Sequence, residues 1–207
     1  MVKKIFKVTL VILGVFAIFC GVYLGFVLNA LGAFDKNYTT DELVANYNKR
    51  KVEIAHLKRF FNQVVPEHKF VEIEFKNDST LYRLGVGPLD SLGKSNYHTM
   101  FLEWDLHVKS SKVDSVIKTL GWTQKTLQLL KDKLDKAECI QIESGEPAKI
   151  GFKRSGLGMY FYNVFDQGVP DSLITHYNDK CNYIFINKML VLEYAGGAVG
   201  GQCFPLE

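Results

Sequence analysis

The chain opens on one long apolar run and then settles into short helical and alternating patterns. No charged residue occurs between Lys7 and Asp35, so residues 8–34 form an unbroken uncharged stretch. A bilayer core of about 30 Å is crossed by roughly 20 helical residues, and residues 8–28 alone reach that length. A helix satisfies its own backbone hydrogen bonds where water is absent, so the run predicts a transmembrane helix. A cleaved signal peptide carries a shorter apolar core, about 7–15 residues. Ala30-Leu31-Gly32 would serve as a cleavage site, but the run before it is too long for that reading. Lipid attachment at Cys20 is disfavoured by the bulky Phe19 before it and by the apolar chain after it. Lys3, Lys4 and Lys7 favour an N-terminus on the cytoplasmic side, although Lys36, Lys49, Arg50 and Lys51 follow the run. Ala17, Gly21 and Gly25 recur every fourth residue, a small-residue stripe that permits a homodimer of the anchor.

After a short polar exit, Thr39 and Glu42 have capping-box spacing and start a helix that Pro66 ends. Leu43, Tyr47, Ile54, Leu57, Phe61 and Val64 fall on one face of it. Residues 70–76 alternate Val71, Ile73, Phe75 against Glu72, Glu74, Lys76, the mark of a half-buried strand. Asn77-Asp78-Ser79 is turn chemistry, and residues 80–86 return as a second strand. A loop with Gly85, Gly87, Pro88 and Gly93 runs to about Asn96. Residues 98–108 predict a third strand, with Met100, Leu102, Trp104, Leu106 and Val108 on one side. Phe101, Glu103, Asp105 and His107 take the other. Two amphipathic helices follow, over residues 111–120 and 123–136, capped by Ser111 and Thr123, the first stopped by Gly121. The rest predicts an antiparallel meander of strands over 139–143, 149–154, 159–165, 182–186 and 189–194. A helical turn after Pro170 and a two-residue loop at Asn187-Lys188 punctuate it.

The expected fold class is therefore α+β: an N-terminal transmembrane helix, then one domain with a largely antiparallel sheet and about three helices. Residues 1–34 form the anchor and residues 35–207 the domain, with 35–66 a membrane-proximal helix or the domain's first. About 170 residues beyond the anchor suit a single domain. Phe 15 and Tyr 10 suit a sheet-rich core.

Net charge is +3 with both signs interleaved, which argues against nucleic acid as partner. Cys20 lies in the anchor; Cys139, Cys181 and Cys203 lie beyond it, with no C-x-x-C spacing for zinc or thiol redox chemistry. An oxidising compartment would allow Cys181 with Cys203; three buried thiols acting as small apolar side chains is the simpler expectation.

The chemistry-bearing candidates are Glu103, Asp105 and His107, which period two puts on one strand face, with Glu72 and Glu74 on a possible neighbour. A histidine between carboxylates has the make-up of a general base with an orienting partner, or of part of a metal site. A solvated sheet face shows the same alternation. Lys153-Arg154-Ser155-Gly156-Leu157-Gly158 combines glycine and positive charge, but a strand follows it where a phosphate loop needs a helix. The glycine-rich stretch 195–201 also lacks a following helix. No G-x-S-x-G elbow places a serine nucleophile. The helix pair 111–136 has helix-turn-helix rhythm, with Gln124, Lys125 and Gln128 as groove-facing candidates. Asn37-Tyr38-Thr39 and Asn77-Asp78-Ser79 match the glycosylation pattern.

The expectation is a single-pass protein with an extracytoplasmic domain that binds a protein or small ligand rather than catalyses, with no cofactor or metal. The alternatives are an envelope hydrolase or metal-dependent enzyme using Asp105 and His107, and a membrane-tethered helix-turn-helix regulator.

Overall fold

The computed structural model describes residues 2–30, 32, 34–90, 100–196 and 201–204, with the side chains of residues 2–13 and 30 outside that description. The strands are β1 (Lys69–Asn77), β2 (Thr80–Pro88), β3 (Phe101–His107), β4 (Gln141–Glu143), β5 (Ala148–Ser155), β6 (Gly158–Val164), β7 (Tyr183–Asn187) and β8 (Leu190–Ala195). They form one 8-stranded sheet in the order β3-β2-β1-β4-β5-β6-β8-β7. Every neighbouring pair is antiparallel. The chain leaves the β3 edge through α4 (Ser111–Thr119) and α5 (Gln124–Lys136) and re-enters the sheet centre as β4. The α+β class and the antiparallel sheet agree with the sequence.

The helical segment before β1 is two helices, α2 (Thr40–Lys49) and α3 (Lys51–Val64). Thr39 and Glu42 form the expected capping box. Arg50, at φ −108°, separates the helices where Arg50 and Lys51 interrupt the apolar stripe. Its backbone N–H donates back to Asn46 and Tyr47. Five helices are thus described, four of them outside the N-terminal run rather than about three. Ser110, one residue earlier than expected, caps α4. Gly121, at φ +69°, closes α4. Its N–H reaches Lys118 O at 3.0 Å and that of Trp122 reaches Ile117 O at 2.9 Å. That pair of bonds needs a left-handed residue, which glycine supplies without a Cβ clash.

One sheet face carries the core. Val71, Ile73, Leu84, Ile142, Ile150, Tyr160, Tyr162 and Leu192 meet Leu57, Phe61, Ile117, Leu127, Leu130 and Leu134 from the helices. Full burial of such a side chain stabilises by about 1.5–3 kcal/mol. Trp122 Nε1 donates to Val64 O at 2.6 Å, tying the α4–α5 corner to the end of α3.

Simple alternation fails in β3. Gly85 pairs with Leu102 and Arg83 with Trp104. Gly85 and Arg83 also pair with Glu72 and Glu74, so Leu102 and Trp104 lie on the outer face, away from the helices. Leu106 nevertheless joins the core. Asp105 between them has φ +50°, and this left-handed residue breaks period two.

The N-terminal run forms α1 (Val2–Ala30). Among the described residues no helix is long and apolar enough to cross a membrane. The described side chains of α1 cover residues 14–29. Within them Val15, Phe16, Ile18, Phe19, Val22, Tyr23, Leu24 and Phe26 are 58% to 76% exposed. Around Gly14, Gly21 and Gly25 there is open space. The expected loop near Gly93 and Asn96, the start of the third strand at His98, and most of the 195–201 loop lie outside the described residues.

Candidate functional site

The outer face of the sheet is where the sequence's alternating polar residues collect. Register places Leu102, Gly85, Glu72, Glu143, Lys149, Asn163, Val191 and Phe185 in one row across the strands. The adjacent row is Trp104, Arg83, Glu74, Gln141, Gly151, Phe161, Glu193 and Tyr183. Between them lies a trough of about 130 Å³, lined by Glu72, Arg83, Gln141, Glu143, Lys149, Arg154 and their neighbours. Gly151 packs between two of its lining residues, Gln141 and Met159. A Cβ there would stand 2.7 Å from Gln141 Cβ and closer still to Met159 Sδ. A strand glycine of this kind marks a close approach.

Three carboxylates in or beside the trough are buried and matched to cations. Arg83 Nη1 lies 3.1 Å from Glu72 Oε1, which also accepts from Gln141 Nε2 at 2.8 Å. Arg154 grips Glu74 with two bonds of 2.6 and 2.7 Å. Lys149 Nζ lies 2.6 Å from Glu193 Oε1, while Asn163 Nδ2 donates to Oε2 at 2.9 Å. Each cation also lies over a ring: Arg154 at 4.1 Å from Tyr82, Lys149 at 4.2 Å from Phe161, Arg83 at 5.9 Å from Trp104. Buried carboxylates need this degree of pairing, because removing them from water is costly.

Glu143 differs. It pairs through the backbone with Lys149, but the Lys149 ammonium is engaged by Glu193. No side chain among the described residues hydrogen-bonds to the Glu143 carboxyl. Burial pushes that carboxyl up to about 7; Glu72 and Glu193 add to the rise, and Lys149 and Arg83 oppose it. Burial also raises Glu72, against the pull of Arg83. Arg83 Nε is buried without a hydrogen-bond partner among the described residues. The trough thus holds three prepaired ions and one carboxyl that titrates near neutrality, suited to receiving a hydrogen-bond donor or a cation.

The residues singled out from the sequence lie elsewhere and apart. Glu103 pairs across the strands with Leu84 on the helix side, and its carboxylate takes Lys112 Nζ at 2.6 Å. Asp105 bonds Lys76 at 3.1 Å, and exposed His107 accepts the Lys109 N–H on Nδ1 at 3.2 Å. No hydrogen bond or ion pair joins the three. Glu72 lines the trough and Glu74 lies beside it, held by Arg154, both on the opposite face from Glu103. Arg83, Glu143, Lys149 and Glu193 belong to no sequence motif, and Arg154 stands out there only as part of the glycine-containing stretch 153–158. Their signal was the polar half of each alternating strand, unreadable as a cluster until strand order is known.

The other motifs resolve structurally. Gly156 makes the β5–β6 turn with φ +56°. Gln124 Nε2 donates to Val108 O at 2.9 Å and Asp114 Oδ1 at 2.7 Å, and Gln128 Nε2 to Asp132, so both amide nitrogens are engaged within this part of the domain. Asn37 and Asn77 both accept hydrogen bonds through Oδ1, from Ser155 and from Ser79. Contrary to the expectation of three free thiols, Cys181 and Cys203 form a disulfide, while Cys139 is buried. The C-terminal segment folds back to allow this: Phe204 N–H bonds Cys181 O at 2.9 Å and the Phe204 ring packs in the core.

A larger groove, about 560 Å³, runs along α3 and the end of β6. Its buried Lys58 is already matched by Val164 O at 2.6 Å, Asp166 at 3.0 Å and Glu146 at 3.3 Å. The ammonium is saturated, so the smaller trough holds the more available chemistry. Among the described residues no group of three or more metal-ligating side chains is arranged around a metal position.

Fold and site together define an α+β domain with helices on one face of an antiparallel sheet and an ionic trough on the other. No protein-family model matches the chain, and no curated protein or solved structure resembles it significantly.

Proposed function

We propose that this protein is a membrane-tethered, extracytoplasmic binding domain that takes a small polar or cationic group into the trough. One observation carries the binding reading: a partly buried carboxyl, Glu143, without a hydrogen-bond or ion-pair partner among the described residues, beside ions that are paired. Prepaired ions need no rearrangement when a ligand arrives, and preorganisation of that kind favours binding.

Tethering is supported by α1. Its described apolar side chains are exposed around the helix, and a large exposed apolar surface calls for lipid or protein cover. The side of the membrane is supported by the Cys181–Cys203 disulfide, since such bonds persist in oxidising compartments.

The binding test is a thermal-shift series on the full chain with alkylammonium and guanidinium chlorides against sodium chloride. Stabilisation of the wild type that is lost in Glu143→Gln supports the reading; equal responses of the two proteins overturn it. For tethering, alkaline extraction of cell membranes should leave the protein in the pellet, and external protease should reach the domain in intact cells. Release into the supernatant, or digestion only after permeabilisation, overturns that part.

A further inference from the structure

We infer that the β5–β6 turn, with Leu157 at its tip, rests in the headgroup layer of a bilayer and holds one end of the trough at the membrane surface. This rests on the proposed tethering by α1. The connection from α1 to the domain is fastened along the hairpin. A Cβ on Gly32 would stand 2.5 Å from Gly156 Cα, so the chain just past the helix touches the turn. Asp35 Oδ2 accepts the Gly156 N–H at 3.1 Å. Ser155 Oγ donates to Asn37 Oδ1 at 2.7 Å, and Tyr38 N–H donates to the Tyr160 hydroxyl at 3.3 Å. The Tyr38 ring then meets Phe152 and Tyr160 edge-on at 5.1 and 5.6 Å.

These contacts advance in step along both segments, which sets the tip of the turn level with the end of α1. There Leu157 is 38% exposed. A lone exposed leucine is ordinary on a soluble surface. Beside the end of an exposed apolar helix, it continues that helix's surface. Lys36 and Lys153 flank the turn, each over a ring, Tyr38 at 4.7 Å and Phe152 at 5.9 Å. Long basic side chains with apolar stems suit the phosphate layer.

The trough follows from the register. Ser155 pairs with Gly158 at the tip and Arg154 with Met159 next to it. Arg154 and Met159 both line the trough, one strand step of about 3.4 Å inward. A ligand there is met at headgroup depth, so the occupant this arrangement fits is a molecule at the membrane surface.

The test uses the full chain in phosphatidylcholine vesicles, in a Cys20→Ala background. A fluorophore is placed through Leu157→Cys or, as control, Lys188→Cys. Position 188 lies at the opposite end of the sheet, beside Leu190, which pairs with Val164 at the far end of β6. Lipids with a nitroxide on the headgroup should quench the label at 157 and leave the label at 188 bright. Alkaline extraction of the same vesicles is run in parallel. Retained protein with both labels equally bright overturns the inference. Extracted protein overturns the tethering on which it rests. Lys153→Cys, on the same hairpin, supplies a second label should the 157 variant misfold, with the same expected and opposing results.

Discussion

Replacing Glu143 with Gln removes the charge of the trough carboxyl that has no ion-pair partner among the described residues and keeps its shape. The ordinary value of such a carboxyl is 4.5, and burial raises this one to about 7 in the folded protein. Between those values the folded state binds more protons than the unfolded state. Stability therefore falls as pH rises through the window, because unfolding releases the carboxyl to ionise in water. The contribution is intact below the lower value and fully lost above the upper one. At roughly 1.36 kcal/mol per pH unit the whole step is about 3 kcal/mol. Gln cannot ionise, so the variant lacks the step. Variant and wild type should be nearly equal in stability near the low end of the window, and the variant more stable by up to about 3 kcal/mol above its upper end.

Urea unfolding of the full chain in a mild detergent measures this, followed by emission of the buried Trp122 at several pH values between the two limits and beyond. The comparison is a difference, so groups shared by both proteins cancel. Glu72, raised by burial, is one; Glu42 and Glu138, lowered by hydrogen bonds from Lys36 and Arg50, are others. A difference that stays constant across the window would refute the reasoning, for the carboxyl would then titrate alike in both states. A variant less stable at high pH would refute it too, showing that the ionised carboxyl is held by Lys149 or Arg83.

Arg154→Met leaves Glu74, only 2% exposed, without its cation, and should cost about 3–5 kcal/mol in the same urea assay. Lys36→Met, which breaks the exposed pair with Glu42, should cost under about 1 kcal/mol. Gly151→Ala pushes a methyl into Gln141 and Met159 and should cost about 1–3 kcal/mol, read as a lower urea midpoint with unchanged slope. Cys203→Ser opens a loop with sequence separation 22 and should cost about 3 kcal/mol. Adding reductant to the wild type should reproduce that loss and leave the variant unmoved. The Cys139 thiol, which burial pushes up to about 12, should react with a maleimide only on unfolding, as mass spectrometry across a urea series would show.

The parts legible in the sequence are those decided locally. Thr39 and Glu42 cap a helix wherever it packs, and β1 alternates because one of its faces must meet a core. The departures come from tertiary constraint. A gap in the apolar stripe at Arg50-Lys51 becomes a break because α2 and α3 must each turn a face to the sheet. Asp105 leaves the strand's period through one left-handed residue, which no count of polar and apolar positions contains. The trough is the extreme case. Its lining side chains come from five strands, and β4 reaches its place between β1 and β5 only after two helices. Glu193 and Lys149 meet at 2.6 Å across 44 positions of sequence. Each looks alone like part of a solvated sheet face.

The outer face could have been finished more cheaply. An antiparallel sheet with one covered face needs only ordinary polar side chains on the other. Here Glu72, Glu74, Glu193, Gln141 and Asn163 are each under 5% exposed. Apolar residues of similar volume in place of buried ion pairs are commonly neutral or stabilising. Structure alone therefore gives no reason for three buried carboxylates each held by a half-buried cation, a tightly approached strand glycine and a carboxyl whose ionisation destabilises the fold. Departures from local consistency that cost stability concentrate at functional sites. Two of them converge in this trough, Glu143 and Arg83 Nε, each without a hydrogen-bond partner among the described residues, and the close approach at Gly151 lies against the lining residues Gln141 and Met159. The saturated Lys58 in the larger groove is buried to a similar degree and shows none of them, so burial of charge is not by itself what distinguishes the trough. The distinguishing feature is capacity left unused, and a donor group entering from the solvent would fill it.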